Sequence, residues 1–162
     1  MDGVELMRPD ARIDARVLAQ LWRNLASRFP GRLLSLDLCQ AAPLTLAGDL
    51  PHGAQFAHDL GEVVELFRQN STLLGDRLEI DVARLGQPDE VRIAITHPLD
   101  AFAHGTLAEV RLGFAWRLLS ELASAPIELE RVEFAHSPNG APAAYEVHFG
   151  CEVRFEQPTS AL

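Results

Sequence analysis

Lysine is absent from this chain, and all fourteen of its basic residues are arginine. Without lysine, the sequence cannot contain the phosphate-binding loop whose motif ends in Gly-Lys-Ser or Gly-Lys-Thr. Basic charge is also in short supply, because 23 acidic residues against 14 basic ones leave a formal net charge of −9. Binding to nucleic acid depends on neutralising phosphate groups with basic side chains. We therefore expect that this chain alone does not bind DNA.

Cysteine and long apolar runs are scarce as well. Cys39 and Cys151 lie far apart without a CxxC spacing, and the chain does not open on a basic segment followed by an apolar stretch. The most apolar segment, residues 107–122, is interrupted by charged side chains, so it cannot sit in the hydrocarbon core of a bilayer. These features predict a cytoplasmic protein with free thiols and no membrane span.

The motifs of common enzyme classes are missing too. The sequence contains no GxGxxG, GxSxG or HExxH pattern. His136, His148 and Cys151 could lie near one another, but the spacing of the two histidines matches no common zinc pattern. Cys151 lies with Val153 and Phe155 on the apolar face of a predicted strand, where a cysteine is usually a small core residue. We therefore predict no catalytic residue, no metal site and no cofactor.

The first part of the chain has the periodicity of helices. Asp14 is a candidate N-cap for a helix whose apolar face would run from Val17 to Phe29 and end before Pro30-Gly31. A second helix is predicted over residues 33–42, and a loop that has room for one helical turn follows over residues 44–58. Asp59 would cap a third helix that reaches about residue 75.

The second part of the chain predicts strands around a long helix. Alternating residues at 78–83 and 91–96, joined by a turn at 86–89, indicate an antiparallel hairpin. A helix with two apolar stripes is predicted over residues 106–124. Two further strands, at about 129–134 and 151–156, flank a short helix at 142–148. The whole chain, residues 1–162, therefore predicts one α+β domain, in which an antiparallel sheet of about four strands is covered by the long helix.

The closing segment carries a recognisable pattern. It consists of a V-x-F-x-H strand, an A-A-Y helix and an F-G-C-x-V-x-F strand, at residues 132–136, 143–145 and 149–155. This pattern resembles the end of the arabinose-binding domain of AraC-type transcription regulators, and the order of the preceding helices is similar to that of the family. Glu152 stands where the family usually has proline. Because no pair of helix-turn-helix motifs follows, we expect this chain to be the N-terminal piece of a longer regulator.

The resemblance implies a ligand-sensing and dimerisation domain rather than an enzyme. A small effector would bind between the helices and the sheet and control, allosterically, DNA binding by a C-terminal domain that is not in this chain. We predict effector contacts from polar or amphipathic side chains beside the sheet and the long helix: Arg92, His97, His104, Trp116 and Tyr145. An arginine would suit an effector that carries a carboxylate.

The second apolar stripe of the long helix predicts a homodimer. A sheet covers only one side of a helix, so Leu112, Trp116 and Leu119 would be covered by a second copy of the chain. The alternative is that the N-terminal helices cover this stripe within the chain.

Two other functions remain open at this point. One is a small isomerase or hydrolase that uses His97 or His104 as a base, although no paired carboxylate or nucleophile is evident. The other is a protein-interaction module without a ligand.

Overall fold

The computed structural model describes residues 14–86, 90–123 and 125–162. Helices form the first part of this described chain, together with a 3-10 turn at Leu44–Ala47. They are α1 (Ala15–Arg28), α2 (Leu34–Ala41), α3 (Leu50–Ala54), α4 (Leu60–Gln69) and α5 (Ser71–Leu74). The three predicted helices are present, although the third is divided into α4 and α5 at Asn70, and residues 44–58 contain the 3-10 turn and the short helix α3.

Two aspartates begin helices as predicted. The Asp14 carboxylate accepts a hydrogen bond from the Arg16 backbone N–H at 2.8 Å, and the Asp59 carboxylate accepts one from the Glu62 N–H at 2.9 Å. Each bond satisfies a backbone donor that has no partner within the first turn of a helix.

The buried face predicted for α1 is mostly wrong. Trp22 and Ala19 are buried, whereas the predicted apolar residues Val17, Leu21 and Phe29 are exposed. The reason is that α1 packs through a narrow strip, which contacts Leu107 and neighbouring side chains at the start of the long helix.

The strands form two ladders that Ala161 joins. In the first, β1 (Glu79–Arg84) pairs with β2 (Val91–Thr96) in the predicted antiparallel arrangement. In the second, β3 (Arg131–Glu133) pairs with β4 (Glu152–Arg154). Ala161 bridges Ala94 of β2 and Glu133 of β3. Of the turn predicted at residues 86–89, residues 87–89 lie outside the described residues.

The prediction of an antiparallel sheet of four strands is wrong in two respects, because the strands form two two-stranded ladders and because β3 and β4 are parallel. Helix α7 (Pro142–Phe149) lies between them in the chain. A connection of this length, with a helix in it, returns the chain to the same end of the sheet, as parallel pairing requires. Gly150, at φ 75°, makes the turn from α7 into β4. The α+β class itself is confirmed.

The long helix α6 (Thr106–Leu122) is central to the core, and it ends two residues before Ser124, which lies outside the described residues. Its neighbours include α2, α4 and β2. Leu112 is 0% exposed and Leu119 is 8% exposed. Both belong to the same apolar cluster as Phe67, Ile95 and Phe134. Neither leucine can therefore supply the dimer contact predicted from the sequence, because the chain buries both, whereas Trp116 of the same stripe is half-buried.

Among the described residues, no helix combines the length and the apolar character needed to cross a bilayer.

Candidate ligand-binding site

A cavity of about 1030 Å³ lies between the β1–β2 hairpin and α6, with further walls from α1, α2 and α4. This volume is at the upper end of the range for small-molecule pockets, about 300–1,000 Å³. Most of the wall is aliphatic or aromatic: Val64, Phe67, Leu78, Ile80, Ile93, Ile95, Leu107, Val110, Phe114, Ala115, Leu118 and Leu119. The cavity can therefore accept a sizeable apolar group.

Some polar groups of the cavity wall form a hydrogen-bonded cluster at the open end of the hairpin, where β1 begins and β2 ends. The Nε2–H of His97 donates to the Asp76 carbonyl at 2.7 Å, and its Nδ1 accepts from the Leu99 N–H at 3.0 Å. This pattern requires the neutral ring with its proton on Nε2. Since both ring nitrogens are engaged, His97 is a structural link between the end of β2 and the turn before β1.

Asp100 connects this cluster to α6. Its Oδ2 accepts from the His97 backbone N–H at 2.8 Å, and its Oδ1 forms an ion pair with Nη2 of Arg111. Arg111 lines the cavity. The turn after β2 is thereby fixed against the long helix.

Arg111 is a charged residue of the cavity wall that was not among the predicted effector contacts. Its side chain is largely buried, and its Nε has no acceptor among the described residues. Loss of solvent lowers the pKa of Arg111 to about 10, so the guanidinium is still charged at neutral pH. The sequence contains an indication of this role in its spacing, because Leu107, Arg111, Phe114 and Leu118 fall on one helical face. An arginine on an otherwise apolar helical face points toward the interior of the protein.

A second buried polar cluster surrounds Glu109, on another face of α6. Its carboxylate is 1% exposed and accepts hydrogen bonds from Ser35 Oγ at 2.5 Å, Tyr145 OH at 2.5 Å and Asn139 Nδ2 at 2.9 Å. Burial and the neighbouring Glu109 raise the pKa of the Tyr145 phenol. Since these side chains come from α2, α6, α7 and the loop before α7, the cluster holds four segments together.

His136 and Gly105 complete the surroundings of Glu109. The His136 Nε2 lies 3.8 Å from the carboxylate, and its Nδ1 is 2.8 Å from the Ser137 carbonyl. Gly105 has φ 80°, and a Cβ at this position would lie 2.0 Å from the His136 ring. Only glycine therefore permits this close approach at the start of α6.

The five residues predicted to contact an effector do not come together. His97 lines the large cavity. Arg92 and Trp116 line a separate depression of about 440 Å³, where Arg92 is paired with Glu133 at 2.8 Å. Tyr145 belongs to the Glu109 cluster. His104 is exposed, and its carbonyl accepts from the Asn139 amide at 2.8 Å.

Cys39 of α2 packs against α6. Its Sγ is 3.3 Å from the Val110 carbonyl, and a Cβ on Gly113 would lie 2.8 Å from the same sulfur. Burial is the main cause that raises the pKa of the Cys39 thiol to about 12. The thiol is thus an unreactive packing group in the wall of the cavity.

The fold and the cavity define a class, the α+β domain with a cavity between a β-hairpin and a long helix. In fold, this chain is similar to the crystal structure of the transcriptional regulator CdpR from Pseudomonas aeruginosa, with a TM-score of 0.67 and 24% sequence identity. The similarity covers 98% of this chain and 50% of that chain, so this chain spans about half the length of that regulator. A search of curated proteins found no match.

The family is shown by the sequence itself. A profile of the arabinose-binding domain of AraC transcription regulators, the N-terminal domain, matches residues 2–162. The chain belongs to this family, and the resemblance noted in its closing segment is confirmed. It is a ligand-sensing regulatory domain of the AraC type.

Proposed function

We propose that this domain binds a small-molecule effector in the cavity between the β1–β2 hairpin and α6. The observation that supports this is the cavity itself, since its walls come from the hairpin and several helices. A ligand in such a position touches all of these elements at once. It can therefore favour one arrangement of the elements over another, which is the requirement for allosteric control.

We further propose that the occupied and empty domains present a separate DNA-binding domain differently, within a cytoplasmic homodimer. Family membership supports the regulatory role, and regulators that read paired half-sites bind as two-fold dimers. The test is molar mass by light scattering across a range of concentrations. A mass that stays near the 17.8 kDa of this chain at high micromolar concentration would remove the dimer from the proposal for this domain.

Effector binding is tested by a screen of small molecules for those that raise the melting temperature, because a ligand specific for the folded state stabilises it. Ala115→Trp would fill part of the cavity, since Ala115 is in its wall. Ala143→Trp is the matched control, because Ala143 is exposed on α7. We expect a ligand to stabilise the wild type and Ala143→Trp but not Ala115→Trp. A ligand that stabilises all three equally would place its site elsewhere.

A further inference from the structure

The chemistry of the cavity wall restricts the class of effector. Apolar side chains form most of the wall, and the buried cation among the lining residues is Arg111. We infer that the effector is an amphipathic carboxylate, with an aliphatic or aromatic body against the apolar wall and its carboxylate on the Arg111 guanidinium. This inference rests on the proposed function, because it assumes that the effector binds in this cavity.

The largely apolar wall disfavours a sugar as the effector. Every hydroxyl of a sugar needs a hydrogen-bond partner when it leaves water, and an unpaired polar group in an apolar environment is costly. Phe67, Ile95 and Leu118 have no side-chain donors or acceptors to offer. The wall instead favours a ligand whose body carries few polar groups.

Arg111 is equipped to bind the head group. A guanidinium has five N–H donors, and Asp100 contacts Arg111 through Oδ1 while its Oδ2 is engaged by the His97 backbone N–H. The Arg111 Nε is buried and has no acceptor among the described residues. A ligand carboxylate can accept two parallel bonds from one guanidinium, and this geometry distinguishes a carboxylate from a hydroxyl.

The test compares two probes of equal chain length, decanoate and decan-1-ol, by isothermal titration calorimetry below their aggregation limits. We expect decanoate to bind the wild type at least about tenfold more tightly, because hydrogen bonds to a charged group are the strong ones. Arg111→Met should remove this preference while leaving the affinity for decan-1-ol nearly unchanged. Arg154→Met is the matched control, because Arg154 is exposed and paired with Glu152 on β4.

The other outcomes separate the two proposals. Equal binding of the two probes, with both lost in Ala115→Trp, would overturn the carboxylate assignment and leave the cavity as the effector site. Failure of decanoate to bind would also overturn it, and L-arabinose bound in its place and lost in Ala115→Trp would point to a sugar site. If Arg111→Met fails to fold, the double variant Arg111→Met/Asp100→Asn replaces it, because it removes both charges of the pair. The ratio of the affinities of the wild type for decanoate and decan-1-ol then tests the inference without the single variant.

Discussion

Two charged residues of α6, Glu109 and Arg111, point into the protein from different faces of the helix, and their surroundings differ. Glu109 receives three hydrogen bonds from side chains of other segments, so it is satisfied without any ligand. Arg111 has an ion pair with Asp100 but keeps an Nε without an acceptor. At the scale of the residue, the first is a structural group and the second is a group with unused binding capacity.

The structural role of Glu109 predicts a large effect of its removal. Glu109→Ala would leave the buried Ser35 and Tyr145 hydroxyls without this acceptor, and a buried donor left unpaired costs about 1–3 kcal/mol. We expect a loss of about 3 kcal/mol or more in the free energy of unfolding, measured by urea denaturation. Glu121→Ala on the exposed side of α6 is the control and should change it by less than about 1 kcal/mol. An equal effect of both substitutions would contradict the role of the cluster.

The two thiols should differ sharply in reactivity. Burial raises the pKa of Cys39 to about 12, so its reactive thiolate is negligible at pH 8, and the side chain is also inaccessible. Cys151 is half-buried, and its pKa is raised as well. We expect Ellman's reagent to label the folded Cys39→Ser variant much faster than the folded Cys151→Ser variant. In urea, both variants should react at similar rates. Rapid labelling of folded Cys151→Ser would show that Cys39 is not packed against α6.

At the scale of the element, the sequence predicted the positions of those helices and strands that are determined by local contacts. The capping aspartates and the change from helical to alternating periodicity located α1, α2, α4, β1 and β2. The direction of β4 could not be obtained in this way, because strand direction depends on the path of the connection through α7. The buried face of α1 was wrong for a similar reason, since burial depends on which neighbours reach a helix.

The last elements of the chain, β3, α7 and β4, should contribute much of the stability of the fold. Phe134 is 0% exposed and lies within 6.0 Å, centroid to centroid, of the rings of Tyr145, Phe149 and Phe155. We expect Phe134→Ala to lower the free energy of unfolding by about 3–5 kcal/mol, the usual range for a buried phenylalanine. Phe56→Ala is the matched control, because Phe56 is 84% exposed, and it should have little effect. A small shift for Phe134→Ala in thermal or urea unfolding would mean that β3 and α7 do not form this core.

At the scale of the whole molecule, the sequence predicted the family and the regulatory role better than it predicted the site. The closing pattern of residues 132–155 carries the family resemblance, and the family match confirms it. The cavity, in contrast, is formed by segments far apart in the chain, and only the fold brings Phe67, Ile95 and Arg111 to one space. Arg111 could have been noticed as a charge in an apolar row, but its partner Asp100 depends on the path of the chain after β2.

The charge of the molecule predicts its behaviour with DNA. A domain with a net charge of −9 has no excess of basic groups to displace the counterions of a duplex. We expect no sequence-specific binding of this domain to a labelled operator of the regulator at physiological salt, measured by fluorescence anisotropy. Nanomolar affinity that survives excess competitor DNA would show that this domain reads DNA directly.

The most direct test of the cavity as the effector site is a methyl NMR titration of the domain, labelled at isoleucine, with the compound that raises its melting temperature most. Ile80 and Ile95 line the large cavity, whereas Ile127 lines the smaller depression. The proposal predicts that the Ile80 and Ile95 methyl resonances shift in a saturable way while that of Ile127 stays in place. The largest shift at Ile127, or saturation without any change at Ile80 and Ile95, would contradict it.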